Sequence, residues 1–177
     1  MKFRGMLMSE HRLIEKMIDI IKRSIPDMKQ SKSVDAEFID IAVDFITTYA
    51  DQVHHGKEED ILFRECAQKR MSEKDADIMK DLIDEHIYGR MIVSELQQAR
   101  ENLLVSQESV EIIIEKLNAL VEFYPAHIEK EDAVFFPSSE KYFSEVEQKN
   151  ILDEFREFDR SMIHEKYKLV VDRLKSK

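Results

Sequence analysis

The chain has no tryptophan, a single cysteine, three glycines and three prolines among 177 residues. One cysteine, Cys66, excludes an internal disulfide and any cysteine-rich zinc site. So little glycine and proline leaves few tight turns, which argues against an all-β fold and for an all-α one. No apolar run approaches the ~18 residues of a membrane-spanning helix. The N-terminal stretch MKFRGMLMSEHR also lacks the apolar core of a secretory signal. The expectation is a cytoplasmic protein with no membrane partner. Positive charge is in deficit, with 27 Lys and Arg against 37 Asp and Glu for a net charge of -10. That balance disfavours nucleic acid as a partner. Hydrophobic residues reach 43 %, enough for one sizeable core, and no linker rich in Gly, Ser or Pro divides the chain. The expectation is one domain over 1–177.

Apolar residues recur at helical spacing in five stretches. Ser9 is a candidate cap for a first helix to about Lys29, with Leu13, Ile14, Met17, Ile18 and Ile21 on one face. Pro26 should distort its last turn. Asp35 can cap a second helix to about Gln68, with Phe38, Ile41, Ala42, Phe45, Ile46 and Tyr49 inward. Ser72 with Asp75 opens a third, to about Asn102, and Ser109 a fourth, to about Phe135, with a kink expected at Pro125. Pro137-Ser138-Ser139 should break the pattern. Ser144 with Glu147 then opens a fifth helix. Short connections between long helices predict an up-down-up-down four-helix bundle over about 9–136. The fifth helix, about 144–177, then lies across the bundle or caps one end.

The histidines sit in an internal repeat. His54 to Phe63 reads HHGKEEDILF and His127 to Phe136 reads HIEKEDAVFF, in register without gaps at an offset of 73 (127 − 54). Glu10-His11 and Glu85-His86 stand 75 apart (86 − 11). Each half therefore reads Glu-His, about forty residues, then His-x-x-x-Glu and an apolar run. A helical hairpin used twice, with pseudo-twofold symmetry, explains the pattern. Residues i and i+4 share a helix face, so His54 with Glu58, and His127 with Glu131, can address one ion each. His11 and His86 can reach the same place. Two divalent ions bridged by the two glutamates suit this donor set, with Fe, Zn, Cu or Ni favoured by imidazole. Leaving so many polar groups in a bundle core without an ion would be costly. The repeat places Ile128 opposite His55, so His55 is expected at the surface or behind the ligands. Asp132 falls opposite Glu59, and is expected to orient ligands.

These pieces resemble the hemerythrin-like (HHE cation-binding) family over nearly the whole chain. The resemblance implies a four-helix bundle holding two iron ions, oxo- or hydroxo-bridged, with Mn or Zn as other occupants. By position it implies His11, His54, Glu58, His86, His127 and Glu131 as ligands. Family members carry, store or sense dioxygen, or handle NO, peroxide or iron. The implied role is binding or sensing a small diatomic or peroxide. The alternatives are a di-iron oxidase, peroxidase or NO reductase, or a protein of iron and metal homeostasis. A sensor or an enzyme would need a separate signalling or redox protein partner. Two positions depart from the oxygen carriers of the family. They place His-x-x-x-His on the third helix, where this chain has Arg90, and His-x-x-x-x-Asp on the fourth, where Glu131 and Asp132 both offer a carboxylate. The match of Glu131 to Glu58 favours Glu131. For the missing histidine, His164 on the fifth helix is the candidate. Phe63, Phe135 and Phe136 are expected to wall the site, while Tyr49 and Tyr124 stand within five residues of a ligand.

Overall fold

A computed structural model describes the backbone of residues 2–103 and 108–175, with side chains up to residue 162. Every regular element among the described residues is helical, and the molecule is an all-α bundle of five long helices. Helix α1 is Phe3–Ser31. Helix α2 runs over 36–67 as one continuous rod, α-helical at Ala36–Asp44, widened to π geometry at Phe45–His55 and Glu58–Phe63, and α-helical again at Arg64–Ala67. Helix α3 is Glu73–Glu101. Helix α4 covers 108–139, with a π stretch at Glu131–Phe135, and a 3-10 turn follows at Glu140–Tyr142. Helix α5 is Glu145–Lys175.

The helix starts follow capping chemistry. The Asp35 carboxylate accepts from the amides of Glu37 and Phe38 at 2.9 and 3.4 Å. Ser72 Oγ accepts from the Asp75 amide at 3.1 Å, and Tyr142 Oη rather than a side chain of α3 accepts from the Ser72 amide. Ser144 and Glu147 form a reciprocal box, Ser144 N donating to Glu147 at 2.8 Å and Glu147 N to Ser144 Oγ at 3.3 Å.

Two boundaries and one inward position differ from the sequence reading. Helix α1 begins at Phe3, not Ser9, because Phe3 and Leu7 are wholly buried and continue its apolar stripe. Phe3 meets Phe143 and Phe155 edge-on at ring separations of 6.0 and 6.5 Å. The Pro137 segment does not break the path: Pro137 sits in the turn Phe136–Ser139, which follows the widened Glu131–Phe135 stretch directly and ends the helix. Ile41 is 55 % exposed, while Ile39, Ala42, Ile46 and Ala50 face inward.

Cross-helix ion pairs set the directions. Asp40–Arg100 and Asp51–Arg90 run α2 against α3. Glu85–His127 and Glu95–Lys116 do the same for α3 and α4, as do Lys2–Glu140 and His11–Asp132 for α1 and α4. Helix α5 packs on α1 and α2. The core falls into two apolar clusters. One holds Ile14 to Met28 of α1, Ile39 to Ala50, Ile92 to Ala99, and Ile113 to Ile128. The other holds Phe3, Leu7, Ile61 to Cys66, Leu82, Phe135, Phe136 and the start of α5. The polar residues between them occur at the same level on all four bundle helices.

Candidate metal centre

That level carries five histidines and two glutamates. His11, His54, His55, His86 and His127 are at most 3 % exposed, and Glu58 and Glu131 are fully buried. The widened α2 explains how one helix supplies three of them. In an ideal α-helix each four-residue step drifts about 40° around the axis. Four such steps would carry Leu62 to the far side from Ile46. With π turns in between, Ile46, Ala50, His54, Glu58 and Leu62 all stay buried.

Each of these five histidines directs Nδ1 at a carboxylate and Nε2 inward. His11 Nδ1 lies 2.7 Å from Asp132, His54 Nδ1 2.8 Å from Glu10, His86 Nδ1 2.7 Å from Glu59 and His127 Nδ1 2.8 Å from Glu85. His55 Nδ1 stands farther from its acid, 3.4 Å from Asp51. An Nδ1 that donates to a carboxylate leaves the Nε2 lone pair of the neutral ring for a cation. The pairs repeat across the halves: Glu10 answers to Glu85, and Asp132 to Glu59. Lys57 Nζ donates to Glu10 as Lys130 Nζ does to Glu85. Arg12 holds Asp132, and Arg90 holds Glu59 at 2.7 Å. Asp132 and Glu59 thus face histidine Nδ1 atoms, the orienting place the repeat suggested.

The inward atoms separate into two groups whose donors lie within 4.8 Å of one another: His11, His54, Glu58 and Glu131, and His55, His86 and His127. Both glutamates span them. Glu58 Oε1 is 3.5 Å from His54 Nε2 while its Oε2 is 3.4 Å from His86 Nε2. Glu131 Oε2 is 3.1 Å from His11 Nε2, and its Oε1 is 3.4 Å from His127 Nε2. Bonds of about 2.1 Å to one cation place neighbouring donors about 3.0–3.4 Å apart. Nε2 of His11 and Nε2 of His54 stand 2.7 Å apart, a hydrogen bond when one of the two rings carries the proton there. A shared cation takes the place of that proton.

Among the described residues, seven of the nine buried side-chain atoms without a hydrogen-bond partner belong here: both oxygens of Glu58 and Glu131, and Nε2 of His55, His86 and His127. Orphaned polar atoms of that kind are rare in folded proteins. Their convergence on one spot fits a pair of cations. Burial and the neighbouring Glu131 push the Glu58 carboxyl well up, whereas Glu131 stays ionised, burial being outweighed by the histidines around it. Burial works against a charged His11, yet Asp132 and Glu131 raise it to about 9. Burial, with His11 adjacent, lowers His54 to about 4.

The structure gathers His11, His54, Glu58, His86, His127 and Glu131 at one centre. It also corrects the reading of His55, which is neither at the surface nor behind the ligands. Its ring stacks on His86 at 3.8 Å, with a free inward nitrogen. The His164 side chain lies outside the described residues. Arg90 points away from the centre, to Asp51 and Glu59. Phe63 stacks on His86 and Phe136 on His11, at 5.9 and 5.7 Å, as equivalent partners in the two halves. Phe123 stacks on His127 at 5.2 Å, and its counterpart in the first half is Ala50. Close by, the fully buried Lys57 also reaches Asp159 of α5 at 2.7 Å.

The hemerythrin HHE cation-binding domain model matches residues 3–139, and the chain belongs to that family. No curated protein and no solved structure matches the chain. The match ends where α5 has yet to begin.

Proposed function

Starting from this membership in a cation-binding family, we propose that the centre holds two iron ions and that the protein binds or senses a small oxidant such as dioxygen, NO or peroxide. The carrying observation is the set of seven unpartnered buried atoms, matched by five histidines each tied at Nδ1 to an acid. In this reading His11 and His54 hold one ion, His55, His86 and His127 hold the other, and Glu58 and Glu131 serve both. An iron pair supplies exchangeable electrons at a position where a small molecule can arrive. The protein's own part is to hold that position. The carboxylates behind the rings fix tautomer and orientation, and increase the basicity of Nε2. Phe63, Phe123 and Phe136 cover ring faces and limit water.

The site's donors alone also accept Mn or Zn. Purification without oxygen, elemental analysis, and optical spectra under argon and then air decide between them. Iron with new charge-transfer bands in air supports the proposal, and bands that vanish again under argon identify reversible binding. Zinc alone, or a spectrum unchanged after iron loading, contradicts it and leaves a metal-buffering role.

A further inference from the structure

A cavity of about 180 Å³ opens between α2 and α3 and ends against His55. Its mouth carries the exposed residues Arg90, Ser94 and Gln97, and its inner wall is Ile46, Val93, Gly89 and Tyr124. Thr47 also lines it, with its Oγ1 buried and without a hydrogen-bond partner. Two features make this more than a packing fault. First, the histidine it touches is the most loosely tethered of the five. Its acid, Asp51, stands 3.4 Å off against 2.7–2.8 Å for the other four, and that carboxylate is shared with Arg90 Nε at 2.8 Å. Second, the cavity's only cation is already matched twice, by Asp51 and by Glu59 at 2.7 Å. The wall therefore offers no spare positive charge for an anion, but does offer apolar surface. An uncharged guest of a few heavy atoms fits that chemistry, and the volume exceeds the ~30 Å³ share of one water several-fold.

We propose that this cavity is the port by which a small uncharged molecule reaches the metal pair, with His55 at its inner end. The proposal rests on the functional reading above and adds the route, the side of entry and the charge class of the guest. Entry is at the three-histidine side, from the α2–α3 face.

Thr47→Phe fills the cavity from its side, and Thr47→Val is the control that removes the hydroxyl and keeps the volume. Ser94→Trp closes the mouth from an exposed position if the first variant folds poorly. Two readouts are paired. Methyl spectra of the zinc-loaded protein under xenon pressure should show shifts at Ile46 and Val93 in the wild type and in Thr47→Val. Those shifts should be absent in the filled variants, and nitrate should not produce them. The iron-loaded ferrous protein, mixed with dissolved dioxygen, should react at least tenfold more slowly in the filled variants at equal iron content. Filled variants that exclude xenon yet react at the wild-type rate overturn the port. Nitrate shifts equal to those of xenon overturn the charge class. Failure of the wild type to hold iron contradicts the functional reading instead, and xenon then decides alone whether the cavity admits an uncharged guest.

Discussion

Asp132, Glu10, Glu59 and Glu85 touch no inward donor, yet each holds a histidine by its outer nitrogen. Replacing such a partner in metal sites typically lowers affinity about 10–100-fold. Glu85→Gln and Glu10→Gln should each weaken cation binding by that factor, with helix content unchanged, as read by competition with a chromophoric chelator. Lys57 ties Glu10 to Asp159, so Lys57→Met should weaken binding in the same direction. Cys66 is fully buried, and burial pushes its thiol up to about 12. It should resist alkylation at neutral pH and label only with global unfolding, which mass spectrometry under increasing urea would show. At this scale the sequence was informative but incomplete. The repeat exposed six donors, because each has a counterpart in the other half. The same logic set His55 aside, because its counterpart is Ile128. The available signal was Asp51 four residues before His55, an acid one turn away from a second consecutive histidine. Choosing Glu131 over Asp132 at the centre follows from their placement, Glu131 inward and Asp132 on the back of His11.

Helix α2 is the element whose shape the sequence concealed. Its inward positions step by four from Ile46 to Leu62, which an α-helical wheel spreads around the rod and a widened helix keeps on one side. Ile41 is exposed for a different reason: it precedes the widening, and on the α-helical wheel of Ala36–Asp44 it stands about 160° from the buried Ile39. Helix α1 was misjudged at its start for a simpler reason: Phe3 and Leu7 extend the stripe of Ile14 and Ile18, but no polar cap marks the place. The capping signals at Asp35, Ser72 and Ser144 were legible because a cap is a local, three-residue device. Gly56 lies between His55 and Lys57 where α5 crosses, and a Cβ there would stand 2.8 Å from Phe158 Cζ. Gly56→Val should therefore cost about 1–3 kcal/mol by overpacking. Phe158→Leu should recover much of that loss, and urea midpoints of the two single variants and the double variant measure the coupling.

Across the whole molecule, a belt of charged and polar groups separates two apolar clusters. Such a belt is expensive unless cations satisfy it. Cation binding should thus stabilise the fold, and chelation should lower the thermal midpoint. In the stripped protein two histidines set opposite limits. His54 is lowered from 6.5 to about 4, so an unfolded chain takes up that proton first, and stability falls as pH drops from 6.5 toward 4. His11 is raised from 6.5 to about 9, so its contribution is complete below pH 6.5 and disappears as pH rises through 9. The thermal midpoint of chelator-treated protein should accordingly fall on both sides of neutrality, as a pH series by circular dichroism would show. No helix among the described residues is long and apolar enough to cross a membrane. The all-α class and the bundle followed from the scarcity of glycine and proline and from the helical periods. The position of α5 against α1 and α2 did not, because an amphipathic stripe does not say which neighbour it meets.

The most direct test of the paired centre is an anaerobic ferrous titration followed by equilibrium dialysis, in the wild type and in Glu58→Gln with Glu131→Gln. The account expects about two tightly held cations per chain in the wild type and loss of tight binding when both bridging carboxylates are neutralised. A single tight cation, or none, in the wild type would contradict it, as would a double variant that still holds two.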